Sequence, residues 1–91
     1  VFNDEVDRFL SADRAIADFT AVIDVPEAPA EERAKSRVDR GFVYGNRGQP
    51  GDIDRAIADY TAVIAAADSP EHARERAQLM LTKLGGPPAT S

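Results

Sequence analysis

The chain has 91 residues, 43% of them hydrophobic, with 16 Asp and Glu against 11 Lys and Arg for a net charge of −5, and it has no cysteine. That length suits one domain that buries about 60 to 65% of its extended-chain surface, and the composition is globular rather than disordered. A disulfide framework, a thiolate zinc site and a cysteine nucleophile are excluded, and the lack of any Lys/Arg cluster argues against a nucleic-acid partner.

The opening VFNDEVDRFL has no initiating methionine and lacks the basic flank and apolar stretch of a signal peptide. The chain therefore reads as a piece of something longer, and its compartment stays open. No apolar run approaches the roughly 20 residues that span a bilayer, so membrane insertion is not expected. Residues 1–9 read as a short helix that breaks before Ser11.

Residues 13–23, DRAIADFTAVI, recur at residues 54–64 as DRAIADYTAVI, differing only in Phe19 against Tyr60. Ala15, Ile16, Phe19, Val22 and Ile23 lie on one face of a helix, as do Ala56, Ile57, Tyr60, Val63 and Ile64. Ser11 or Asp13 suits the start of the first copy and Asp52 the start of the second, with Pro50 and Gly51 marking the turn before it.

Between the copies the spacing predicts a helix over about 30–47. Pro29 is placed at its first position, Glu31 and Glu32 at the positive end of its dipole and Gly48 at its stop. Ala34, Val38, Gly41, Phe42 and Gly45 form its main stripe, and Val43 and Tyr44 widen the apolar surface, so two of its sides should meet neighbours. The last helix is expected to open at SPEH, with Ser69 as cap and Pro70 in the first turn, and to close at KLGGPP. Its stripe is read as Ala73, Ala77, Met80 and Leu84, with Leu79 and Leu81 off that line. Residues 85–91 read as a disordered tail.

The copies are 41 positions apart, a period that signals stacked units, each unable to bury its faces alone. The residues resemble the tetratricopeptide repeat family. DRGFVYGNRG is similar to the first helix of such a unit, through Gly41, Tyr44 and Gly48. DRAIADYTAVI is similar to the second, through Ala56 and Tyr60, and Pro70 follows; Ala15 and Phe19 match in the earlier copy. The resemblance implies an all-α fold of about four main helices, in antiparallel pairs stacked as a right-handed superhelix. The small residues let helices approach and the aromatics fill the space between them.

The usual unit has 34 residues. Here about two extra fall between Pro29 and Gly41, three between Gly41 and Ala56 and two between Ala56 and Pro70, all near turns where added length costs little. This resembles a 41-residue variant expected in bacterial repeat arrays. The implied division is a partial repeat over 1–29, a full repeat over 30–69 and a terminal helix over 70–84 that matches loosely and serves as a cap. An incomplete N-terminal unit should expose apolar surface and favour self-association.

Residue by residue, no catalytic or metal site emerges and no cofactor is implied. His72 is the only histidine, beside Glu71 and Glu75, with no second histidine or cysteine to share a metal, and it reads as a solvated side chain. Asp18, Asp24, Asp59 and Asp68 read as members of solvated helix faces rather than acid/base pairs. NRGQPGD has two glycines but neither the Lys-Ser/Thr of a phosphate loop nor a strand before it, so it reads as a turn between helices. Ser11, Ser36 and Ser69 have no nucleophile setting.

What remains is a binding surface. The resemblance implies a concave groove lined by the first helices of successive units, which here places Lys35, Val38, Phe42, Gly45 and Asn46 on it. Val38 and Phe42 stand where relatives that clamp a carboxylate use cations or amides. An apolar or mixed peptide, or a partner's helix, anchored on Phe42 is therefore the better expectation. A rival reading packs Phe42 against the next unit's first helix. The function expected is a non-catalytic protein-interaction or assembly scaffold; the alternative is a purely structural segment that stacks or self-associates without a separate ligand.

Overall fold

The computed structural model describes residues 4–85, with side chains from residue 11 onward. It holds four helices, α1 (Asp4–Ile23), α2 (Ala30–Arg47), α3 (Asp52–Ala65) and α4 (Glu71–Lys83), and no strand among the described residues. The expected tail lies outside the described residues from 86 onward.

The bounds of α2 match the spacing in the sequence, and Gly48 ends it in the left-handed conformation at φ 66° while its N–H bonds the Tyr44 carbonyl. Gly51, at φ 85°, makes the return into α3, a conformation that a side chain would strain. Pro29 and Pro70 sit one residue earlier than expected, as extended N-cap residues. The start signals proposed for side chains do not operate as caps. Ser69 is buried and makes no capping bond, and Asp52 is the first residue of α3, with Gly51 at the cap.

The expected break before Ser11 is absent, because α1 runs unbroken from Asp4 through Ser11 to Ile23. Ser11 has no turn to cap, and serine is tolerated inside a helix at modest cost. The face of α4 also differs from expectation. Ala73, Ala77 and Leu81 are its buried residues, Met80 and Leu84 are half-buried, and Leu79 is 57% exposed. Leu81 belongs to the core because a repeat of four residues, running from Ala73, follows the surface of α3.

Cross-helix pairs fix the packing. Arg47 reaches Asp52 and Arg40 reaches Asp59, so numbers fall along α2 as they rise along α3. The two helices are antiparallel. Arg47 with Asp13 and Arg40 with Thr20 give the same sense for α1 and α2. Glu31 lies near His72, and a Cβ on Gly45 would lie near Leu84, so α4 runs parallel to α2. Two sides of α2 are covered by α1 and α3, and α2 also meets α4. The molecule measures 47 × 32 × 19 Å, a slab about two helix diameters thick.

The core joins Ala34 and Val38 of α2, Ala56, Tyr60 and Val63 of α3, and Ala73, Ala77 and Leu81 of α4. Gly41 sets how closely α2 and α3 approach. A Cβ there would stand 2.7 Å from Tyr60 Cε1 and 2.9 Å from Cζ, well inside the 3.5–4.0 Å of ordinary carbon contact. Tyr44, half-buried, lies under the Arg40 and Arg47 guanidinium groups, 5.9 and 5.5 Å from its ring centre. The two copies of the duplicated stretch are not equally covered. Ala56, Tyr60 and Val63 are at most 2% exposed, whereas Ala15, Phe19 and Val22 are only half-buried.

Candidate functional site

The parallel pair α2 and α4 leaves a shallow groove between them. Its floor is Val38 and Ala73, both buried, and its walls are Glu31, Lys35 and Asp39 from α2 and His72 and Arg76 from α4. Its volume is about 250 Å³, below the roughly 300–1,000 Å³ of small-molecule pockets. It has room for a side chain or two, apolar at the base with cations and carboxylates at the rim.

The residues expected on this face take different positions. Lys35 and Val38 line the groove, Val38 as floor rather than as a projecting anchor. Phe42 follows one turn along α2 and is 50% exposed. Gly45 turns toward the end of α4, where a Cβ would touch Leu84 Cδ2 at 3.7 Å, and Asn46 is exposed. Leu79 is the other large apolar side chain that α4 leaves exposed. His72 is mostly exposed, with Nε2 3.9 Å from Glu31 Oε1 across the groove mouth. Among the described residues, no three His, Cys, Asp or Glu side chains are grouped to hold a metal, and no helix is long and apolar enough to cross a membrane.

One buried carboxylate, Asp59, overturns part of the solvated-face reading, and a second, Asp52, was expected only as a helix start. Asp59 is buried and receives two hydrogen bonds from Arg40, Nε to Oδ2 at 2.9 Å and Nη2 to Oδ1 at 2.6 Å. Arg40 also donates from Nη1 to Thr20 Oγ1 at 3.0 Å, and Thr20 in turn donates to the Ile16 carbonyl. The bond to Asp59 holds the Arg40 guanidinium above its usual range, against the opposing effect of burial. Asp52 is fully buried. It accepts from Arg47 Nε and Nη2 at 2.7 and 2.8 Å, from the Gln49 N–H at 3.0 Å and from Arg55 Nη1 at 3.0 Å. Arg47 also donates to Asp13 Oδ1 at 2.8 Å.

The hydrogen bonds from Arg47 push the Asp52 carboxyl well below the usual carboxylate range, and the same pairing raises Arg47. The bond from the Gln49 N–H is the backward reach of an acid three residues into a turn. Both arginines thus tie α1 to α3 through α2, and every buried polar side-chain atom among the described residues is satisfied. These are structural clamps: each carboxylate takes two hydrogen bonds from an arginine of α2. Sequence reasoning missed them. The available signal was the pair Arg40 and Arg47, two turns apart around Tyr44 on a helix otherwise apolar on that side.

No family model, curated protein or solved structure matches this chain.

Proposed function

We propose that this chain is a non-catalytic interaction module of tetratricopeptide-repeat type, whose helix pairs stack as a right-handed superhelix and whose α2–α4 groove takes a peptide or a partner's helix. The groove itself carries the reading. Two parallel helices present an apolar floor and a rim of mixed charge, and Phe42, half-exposed, follows Val38 one turn further along α2, outside the lining residues. Exposed aromatics beside a concave surface supply much of the energy of peptide contacts. Phe42 is half-exposed, so it is free to meet a ligand that extends past the groove.

Glu31 and Asp39 set the polarity of the expected ligand. With Lys35 between them on α2 and Arg76 across the groove on α4, they disfavour a peptide of one sign and favour an apolar side chain flanked by both charges. A clamp for a carboxylate terminus does not fit these residues. The test is selection of displayed random peptides on the intact chain, followed by titration of the selected peptides against Phe42→Ala. At least tenfold weaker binding with an unchanged melting temperature supports the reading; selected peptides that ignore both Phe42→Ala and Lys35→Glu refute it.

A further inference from the structure

The duplicated stretch provides an internal control. In the second copy, α2 covers the α3 face that carries Ala56, Asp59, Tyr60 and Val63, with Gly41 admitting the Tyr60 ring and Arg40 gripping Asp59. The first copy writes the same face on α1 as Ala15, Asp18, Phe19 and Val22, at helical spacing. Those three apolar residues are half-buried, Asp18 is exposed, and Asp18 pairs with no cation among the described residues. Equal letters in unequal surroundings identify what is missing beside α1: a helix with the chemistry of α2.

The chain does not return such a helix through the connection used by the second copy. The turn Gly48–Gly51 folds α2 back onto α3, but α1 continues as helix for about two turns beyond Ser11, the residue matching Asp52. Among the described residues α1 is met by α2 alone, so no described helix covers this flank. Charge points the same way. The α1 sequence has five acids against two arginines, whereas α2, the helix that covers its twin, has five cations against three acids.

We infer that the α1 flank formed by Ala15, Asp18, Phe19 and Val22 is a docking site for a cationic helix of a partner chain that presents an arginine followed by a glycine, as α2 does at Arg40 and Gly41. The glycine admits the Phe19 ring and the arginine takes Asp18 by two hydrogen bonds. The site is separate from the α2–α4 groove, so its failure leaves that reading untouched. A second copy is a poorer occupant. Its own Arg40 and Gly41 are already engaged, and α4 has Leu81 and Thr82 at the matching positions.

The probe is a fluorescent, hydrocarbon-stapled peptide of residues 29–49, titrated with the full chain. Saturable binding is expected, weakened at least tenfold by Asp18→Asn in the protein and by either Arg40→Ala or Gly41→Leu in the peptide. Asp18→Asn is expected to leave the melting temperature unchanged because its carboxylate pairs with nothing among the described residues. Absence of saturable binding overturns the proposal, as does binding indifferent to Asp18→Asn. Concentration-dependent dimerisation in sedimentation, abolished by Asp18→Asn while the peptide does not bind, would assign the flank to a second copy and also overturn it.

Discussion

Gly41→Ala and Gly45→Ala make the same chemical change four residues apart on α2 and should have opposite effects. In a helix interior, replacing glycine by alanine gains about 0.5–1 kcal/mol from the unfolded chain's lost freedom and better propensity. At Gly45 that gain stands, because the new Cβ meets only Leu84 Cδ2 at 3.7 Å, an ordinary contact with a flexible side chain. At Gly41 the new Cβ falls 2.7 Å from Cε1 and 2.9 Å from Cζ of the Tyr60 ring, which is 2% exposed and cannot swing away. Overpacking of that kind costs about 1–3 kcal/mol. The two variants should thus differ by about 1–3 kcal/mol, and each kcal/mol moves the melting temperature of a domain this size by roughly 4–8 °C. Thermal melts followed by circular dichroism measure the difference. A cycle with Tyr60→Ala isolates the cause: once the ring is gone, Gly41→Ala should stabilise by about 0.5–1 kcal/mol. If Gly41→Ala raises the melting temperature of the intact chain as much as Gly45→Ala, close approach of α2 to α3 is not what Gly41 supplies.

Tyr60→Ala should destabilise by about 3–5 kcal/mol, and Phe19→Ala by about half of that because its site is only half-covered; equal losses in urea titrations would contradict the unequal burial. Asp52→Ala leaves Arg47 with Asp13 alone and should cost about 3 kcal/mol, the lower end for a broken buried pair, read by the same titrations. The Asp52 carboxyl is depressed in the folded state, so its contribution is complete above its unfolded value of 3.8 and is lost as pH falls toward the folded value. Melting temperatures followed downward from about pH 5 should therefore drop more steeply for the natural chain than for Asp52→Asn.

Local signals read well where the structure obeys them locally. The bounds of α2 and the stop at Gly48 follow from spacing and glycine chemistry that neighbouring residues already contain. The close contact of Gly41 with Tyr60 also matches the resemblance, which paired a small residue with an aromatic. Asp59 was misread as solvated because what permits its burial is Arg40 on another helix, and no local pattern reveals that; Asp52 does begin α3, as expected, but its side chain pairs with Arg47 across the turn rather than capping the helix. Ser11 misled because a serine before an apolar stripe is a cap only if the backbone has a turn to end. For α4, the choice between Leu81 and Met80 as core depends on how α4 lies across α3, which periodicity alone leaves open. In the groove, Lys35 and Val38 were legible from the resemblance, but His72, Ala73 and Arg76 came from α4, whose match to the family was loose.

The two arginines of α2 each hold one partner on α1 and one on α3, so neither outer helix can separate from α2 without leaving a guanidinium half-satisfied. Opening of α1 and opening of α3 are thereby linked, and amide exchange in the three helices should report one shared event. Helix α4 has Leu81 where α2 has Arg40, and it adheres through apolar contact at that level. Of the four described helices, α4 should then detach first, exchanging its amides at a lower free energy than the rest. Because α4 forms one wall of the groove, its detachment would dissolve the groove while leaving α1–α3 assembled, and any ligand held there would stabilise α4 first among the described helices.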